Sequence, residues 1–252
     1  MKIQLIRNAT LKIEYAGKTM LVDPMFSSKA SFESFAGIEQ NPIVDLPIQV
    51  DQILDRVDVV LVTHTHEDHF DEAAKDLLAK DIPLFCQPPD EKKIKDRGFK
   101  NVHVIDDAVQ WEGMEIIRTG GEHGSGEILN HMGKVSGYIL KSSDEPTIYI
   151  IGDSILVKEV EDNLNTHQPE IVVTNSGGAY IPGYETTPIL MGIQETIRVC
   201  KLLPDSVVVA VHMEALDHCT VTRDALRFRA LYENISIQRL LIPLDGEIVN
   251  VG

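Results

Sequence analysis

The sequence predicts an α/β fold, a four-layer αββα sandwich, from three observations. Short β-like runs dominate the first part of the chain, a strand–helix rhythm takes over at residue 57, and three consecutive strands interrupt that rhythm near the middle before it resumes. Two sheets packed face to face, each covered outside by helices, accommodate that order. The expectation is one domain over residues 1–252.

The elements follow in chain order. "KIQLI", "LKIEYAG" and "TMLVDP" read as strands, with "AGK" a hairpin turn between the second and third. Residues 26–47, "FSSKASFESFAGIEQNPIVDLP", lack periodicity and are rich in Ser, Gly and Pro. They read as a long loop, and long loops in compact domains are often functional. "VDVVLVT" is a buried strand. "FDEAAKDLLAK" is helical, with Ala73, Ala74, Leu77 and Leu78 on one face. "IPLFCQ" and "VHVID" are strands around the helix "DEKKIKDRG". "MEIIRTG", "VSGYILKS" and "TIYIIGD" are three strands in a row, as in an antiparallel sheet. The helix "SILVKEVEDNL" leads to the strand "IVVTN", and the amphipathic helix "PILMGIQETIRVCKLL" to "VVVAVH". A last helix, "TRDALRFRALYEN", precedes "IQRLLIP" and "EIVNV".

A hydrophobic content of 43% with 25% charged residues allows a sizeable core. No run approaches the roughly 18 to 20 apolar residues that span a bilayer. The opening "MKIQLIRNATLKIEY" alternates like a strand rather than a signal peptide. A cytoplasmic protein without a membrane partner is expected. Cys86, Cys200 and Cys219 are odd in number and far apart, which suggests no disulfide framework, although Cys219 lies close to two histidines. The net charge of −16 repels phosphate backbones, so no nucleic-acid partner is expected. A homo-oligomer is left open.

The stretch "LVTHTHEDHFDE", residues 61–72, crowds three histidines and four carboxylates behind an apolar run. On a helix His64 and His66 would stand roughly 200° apart and could not share an ion. In a turn leaving a strand they can point the same way, with Asp68 and His69 folded back beside them. A solvated turn starting a helix is the bland alternative, but four potential ligands within six residues favour a metal site. Imidazole and carboxylate suit Zn²⁺ first, with Mn²⁺ or Fe²⁺ as alternatives. The remaining ligands should also follow strand ends, as His123, Asp153 and His212 do. Gly152 would allow close backbone approach beside Asp153. By itself, Asp153 reads equally as the cap of a helix starting near Ser154.

His-x-His-x-Asp-His, a distant His, a Gly-Asp after a strand and a His after another strand together resemble the signature of the metallo-β-lactamase-fold hydrolases. The resemblance runs in order over nearly the whole chain, with 54 residues from His69 to His123, 30 more to Asp153 and 59 more to His212. The opening "IRNATLKIEYAGKTMLVDPMF" also resembles the UlaG-like branch, which includes an ascorbate-6-phosphate lactonase and a phospholipase D-type phosphodiesterase. Where that branch has Gly-His before Ala-Thr, this chain has Arg7-Asn8. The resemblance implies two divalent metal ions. His64, His66 and His123 would hold one, Asp68, His69 and His212 the other, and Asp153 would bridge them opposite a nucleophilic hydroxide. Metals in such a pair acidify water and stabilise the developing oxyanion. Asp68 would then carry a proton to the leaving group.

Asp23, in an Asp-Pro behind the third strand, resembles a residue near the family's metal site; the alternative is a plain turn. His218 resembles a second histidine after the last ligand, which contacts substrate or orients His212. His131, in the loop after His123, and Asn175, in "TNSGGAY", are further candidates for contacting substrate or supporting the ligands from behind, and Tyr180 or Tyr184 for lining the pocket.

The expected function is hydrolysis of a small, anionic ester or lactone by a dinuclear metal centre. A phosphodiesterase of the same fold is the alternative, and a non-catalytic metal-binding protein a third reading. Retention of Asp68 argues against the last, because a structural site needs only a closed ligand shell. The acidic charge disfavours a nucleic-acid processor, and the short Asp153–His212 interval leaves no room for the large insertion of the family's nucleases.

Overall fold

The computed structural model describes residues 1–251. Its strands form two seven-stranded sheets. In the first, β1 (Lys2–Arg7), β2 (Thr10–Tyr15) and β3 (Lys18–Val22) run antiparallel, joined by short turns. β3 then continues in parallel into β4 (Val59–Val62), β5 (Leu84–Cys86) and β6 (Val102–Val104). In the second sheet, β7 (Ala108–Trp111), β8 (Met114–Thr119), β9 (Gly137–Lys141) and β10 (Ile148–Ile150) are antiparallel. From β10 the sheet is parallel through β11 (Ile171–Asn175), β12 (Val207–Val211) and β13 (Leu240–Leu241). The last strand, β14 (Ile248–Asn250), returns to the edge of the first sheet beside β1. Parallel neighbours require crossovers, and helices supply most of them.

The core has three apolar layers. Between the sheets, Leu5, Ile13 and Leu61 pack in one cluster with Tyr138, Ile150 and Val209. Outside the first sheet, Val60, Val62 and Leu84 pack with Ile53 of α1 (Val50–Leu54), Ala74 of α2 (Glu72–Leu77) and Ile94 of α3 (Glu91–Asp96). A short helix, α4 (Leu129–Met132), follows β8. Outside the second sheet, Tyr149, Val172 and Val208 meet Leu164 of α5 (Lys158–His167), Ile197 of α6 (Ile193–Leu202) and Leu226 of α7 (Arg223–Tyr232). The result is the four-layer α/β sandwich. β4 and β11 are buried at every position because both faces are covered, which is why they read as unbroken apolar runs.

Several elements differ from the sequence reading. α2 ends at Leu77, so Leu77 is 53% exposed while Leu78, beyond the helix, is buried; the apolar face held for a longer helix fails there. α5 and α6 start at Lys158 and Ile193, after the extended residues Val157 and Gly192. β7 was not anticipated, since this edge strand turns only Val109 and Trp111 inward and its alternation is short. Residues 26–47 form no helix or extended strand: Phe32 and Asn41 make one bridge, the N–H of Ala30 donates to the carbonyl of Pro42, and that of Ile43 to the carbonyl of Ala215. Among the described residues no helix is long and apolar enough to cross a membrane.

Candidate metal centre

The site gathers at the C-terminal ends of β4, β8, β10 and β12, the last three of one sheet and the first of the other. The turn after β4 carries His64, His66, Asp68 and His69, and His123 lies in the loop after β8. Asp153 follows β10 by three residues, and His212 follows β12 directly. Donor atoms of His64, His66 and His123 lie within 4.8 Å of one another, and so do those of Asp68, His69, Asp153 and His212. Asp153 links the two groups, with Oδ2 3.5 Å from His123 Nε2 and 3.1 Å from His69 Nε2. It does not cap α5, whose start lies further along the chain.

Hydrogen bonds on the far side of each ring set which nitrogen is free to bind a metal. Thr63 donates its hydroxyl to Asp23 Oδ2, so it can only accept from His64 Nδ1 at 3.1 Å, leaving His64 Nε2 with a bare lone pair. His69 Nδ1 donates to Asp23 Oδ2 at 2.8 Å, and His123 Nδ1 donates to the carbonyl of Ile189 at 2.6 Å. In both rings Nε2 is thereby directed inward, the usual way that outer partners fix a metal-binding imidazole. Asp23 is thus tied to the centre through His69 and Thr63. His64 Nε2 also faces His66 Nδ1 at 3.0 Å. A proton on His66 Nδ1 can bridge that pair, and a metal ion can take its place.

The charges point the same way. Burial lowers the pKa of His64, and it lowers that of His123 to about 4, so both are neutral donors at pH 7. Burial also opposes charge on His69, but Asp153, Asp68 and Asp23 outweigh it and push its pKa up to about 10. His212 is raised as well, chiefly by Asp153 against its own burial. Asp68 and Asp153 are fully buried, and histidines hold both below the usual carboxylate range against desolvation. The positive charge opposing these carboxylates is carried by protons on histidine, and a divalent ion can replace such protons. The donor set fits divalent metal ions.

The profile of the Beta-lactamase superfamily domain matches residues 18–213. This chain belongs to the beta-lactamase superfamily. Bacillus subtilis UPF0173 protein YddR is 42% identical over 98% of both chains. A UPF0173 metal-dependent hydrolase of Azorhizobium caulinodans is 22% identical over the full length of both. Among solved structures, an isothiocyanate hydrolase from Delia radicum gut bacteria superposes with a TM-score of 0.92 at 41% identity, covering 100% of this chain and 99% of that one. A possible metal-dependent hydrolase from Veillonella parvula gives 0.95 at 32% identity over the same shares. The protein is accordingly a metal-dependent hydrolase of the metallo-β-lactamase fold, with a His/Asp cluster able to bind metal ions.

Within this superfamily scaffold, Arg7-Asn8 does structural work. Arg7 is fully buried and donates to the carbonyls of Val44, Met25 and Ser27, holding both ends of the long loop. Burial lowers its pKa to about 10, so it stays charged. Asn8 adopts the left-handed conformation with φ 58°. Its amide donates to the carbonyl of Asp68 at 3.2 Å, and its own carbonyl accepts the N–H of His212 at 2.9 Å. One residue so ties the first metal-binding turn to the last ligand. His212 is itself left-handed at φ 62°, a conformation that costs a non-glycine residue about 1–2 kcal/mol. Such strain concentrates at functional sites.

A cavity of about 430 Å³ opens over the cluster, with His66, Asp68, His123 and Asp153 at its floor. Phe35, Met132, Ile181, Pro182 and Ile189 form apolar walls, and exposed Glu67 stands among the lining residues. Among the described residues no lysine or arginine lines it. His218 lines the cavity too, but the other candidates sit differently. Asn175 is buried and donates to Asp153 Oδ1 at 2.6 Å, so it orients that carboxylate rather than facing the cavity. His131 is exposed on α4, its ring 6.0 Å from that of Tyr184, while the adjacent Met132 takes the wall position. The loop after β11 contributes Ile181 and Pro182 in place of Tyr180 or Tyr184. Phe35 on the cavity wall and Thr63 between Asp23 and His64 escape sequence reasoning, because neither belongs to a motif.

Proposed function

We propose that the protein hydrolyses small, uncharged electrophiles bearing an apolar substituent, with organic isothiocyanates the foremost class. The observation that carries this reading is the cavity lining: apolar walls, no cationic side chain and an acidic residue at the rim. An anionic substrate would meet Glu67 and a net charge of −16 with no protein cation in the lining to receive it. The ester or lactone expected from the sequence remains the second reading in its uncharged form, because the same walls accept it. A phosphodiester fits less well. The 41% identical isothiocyanate hydrolase supports the first class.

His64, His66 and His123 would hold one divalent ion, and Asp68, His69, Asp153 and His212 a second, Zn²⁺ first with Mn²⁺ or Fe²⁺ as alternatives. Such ions supply Lewis acidity and bring the pKa of water towards neutrality. The protein's own groups do the rest. Phe35, Met132 and Ile189 exclude bulk water and seat the substituent, while Asp68, at the cavity floor and 3.2 Å from His212 Nε2, is placed to hold and move a proton. Adding water across the C=N bond of an isothiocyanate gives a thiocarbamic acid, which loses carbonyl sulfide to leave a primary amine.

The test is a substrate panel on protein loaded separately with zinc, manganese and iron(II). Benzyl isothiocyanate should be consumed with release of benzylamine, an uncharged lactone should turn over more slowly, and bis(para-nitrophenyl) phosphate should be the poorest substrate. A preference for the phosphodiester would overturn the reading.

A further inference from the structure

His218 and Phe35 form a wall of the cavity that the metal cluster does not engage. His218 is only 5% exposed, its ring lines the cavity, and its Nδ1 is buried without a hydrogen-bond partner among the described residues. It does not orient His212. The rings lie 6.3 Å apart, and the outer nitrogen of His212 faces the Cys219 sulfur at 3.5 Å. Phe35 meets His218 edge to face, with centroids 5.0 Å apart and planes at 85°.

The pair is fixed from behind by the neighbouring residue. Asp217 accepts the N–H groups of Phe35 at 3.0 Å and Ala36 at 3.1 Å, the amide of Asn41 at 2.8 Å, and the hydroxyl of Ser34. One carboxylate therefore holds the loop that carries Phe35 against the segment that carries His218.

A buried nitrogen with no acceptor nearby is better left as a bare lone pair than as an unpaired N–H. The proton of neutral His218 accordingly belongs on Nε2. Burial lowers the pKa of the ring to about 4, which keeps it neutral at pH 7.

We propose that His218 is a substrate-contacting residue whose Nε2–H donates to the substrate heteroatom that gains electron density when water adds, with Phe35 packed against the organic substituent. For an isothiocyanate that heteroatom is nitrogen or sulfur; for an uncharged ester it is the carbonyl oxygen. A neutral donor in an apolar wall suits an uncharged group, where a lysine or arginine would select an anion. The substrate class rests on the function proposed above; the contact itself does not.

Two arms test it. In the first, His218→Leu, His218→Gln and Phe35→Ala are compared with the wild type after elemental analysis has shown equal metal content. With benzyl isothiocyanate, His218→Leu should lose about 10²–10³-fold in kcat, the range typical for removing one donor to developing charge. His218→Gln, which keeps an N–H donor, should recover part of that loss, and Phe35→Ala should raise KM more than it lowers kcat. In the second arm, nitrogen NMR of isotopically labelled histidines follows zinc-loaded protein titrated with phenylthiourea, a neutral probe that is not hydrolysed. The His218 Nε2 signal should move. Wild-type kcat in metal-replete His218→Leu, or a His218 signal unmoved by phenylthiourea up to its solubility limit, overturns the proposal. If benzyl isothiocyanate is not turned over by the wild type, the substrate class fails, and the phenylthiourea titration still decides the role of His218.

Discussion

Asp23 Oδ2 lies 2.8 Å from His69 Nδ1, and the same carboxylate accepts both the N–H and the hydroxyl of Thr63. A fully buried carboxylate, its pKa raised by burial against the pull of His69 and Thr63, thus orients His69 directly and His64 through Thr63. Asp23→Asn keeps the shape but removes the charge that steadies the His69 ring. Outer partners of this kind are typically worth 10–100-fold in metal affinity, so metal binding should weaken by about that factor. Competition against a chromophoric chelator measures it, and unchanged affinity would contradict the coupling.

Metal loading should release protons at neutral pH. His69 has its pKa raised to about 10 and His212 is raised as well, so both hold protons in the metal-free protein at pH 7. Metal affinity should therefore rise with pH. Calorimetry in buffers of different ionisation enthalpy reads the proton count directly, and no buffer dependence would refute the assignment.

The metal-free protein should be most stable near neutrality. His123, lowered to about 4 by burial, takes up a proton more readily unfolded than folded, so stability rises from about pH 4 to its unfolded value of about 6.5. His69 has the opposite sign. Its contribution is fully present below about pH 6.5 and is lost as pH rises towards about 10. Urea denaturation in the presence of chelator checks the maximum; a monotonic profile over that range would show that one of the two signs is wrong.

Asp68→Asn separates proton transfer from metal binding. Asp68 lies at the cavity floor, and His69 and His212 hold its carboxyl below the usual range against burial, so it is ionised at neutral pH and passes on rather than keeps a proton it takes up. With metal content restored, activity should fall by about 10²–10⁴-fold. The loss should shrink for esters whose leaving group needs no protonation. A wild-type rate with both ions bound would remove Asp68 from the proton path.

Gly152 precedes Asp153 with φ +72°, and a Cβ there would stand 2.7 Å from the carbonyl of Ser136. Gly113 has a similar φ of +83° but open space around it. Gly113→Ala should cost about 1 kcal/mol from the backbone alone, and Gly152→Ala at least about 2 kcal/mol with impaired metal binding. Equal losses in urea denaturation would mean that the close approach at Gly152 carries no cost.

Most strands and the clustering of the seven candidate ligands were legible because each depends on a local pattern. Buried parallel strands such as β4 and β12 read as unbroken apolar runs, and each ligand candidate sits in a loop following a strand. What the sequence did not reveal depends on contacts between distant segments. Asn8 reaches Asp68 and His212 only once the first and last thirds of the chain are packed together. Asp217 finds its partners in residues 34–41, far away in the chain. By position, Asn175 and His131 could each have touched substrate or supported a ligand. Their side-chain directions, one towards Asp153 and one towards solvent, follow from packing that spacing does not encode.

The division of the candidate ligands between the two sheets would make a metal-loaded centre a mechanical fastener. His64, His66, Asp68 and His69 follow β4 of the first sheet, whereas His123, Asp153 and His212 follow strands of the second. Prising the sheets apart therefore means tearing both ligand groups. Ions held by the native state alone would resist this by mass action, by about 2.7 kcal/mol when free metal is a hundredfold above its dissociation constant. Chelation should then act as a denaturant as well as an inhibitor, and the supply of metal around the chain would set how long the folded protein lasts.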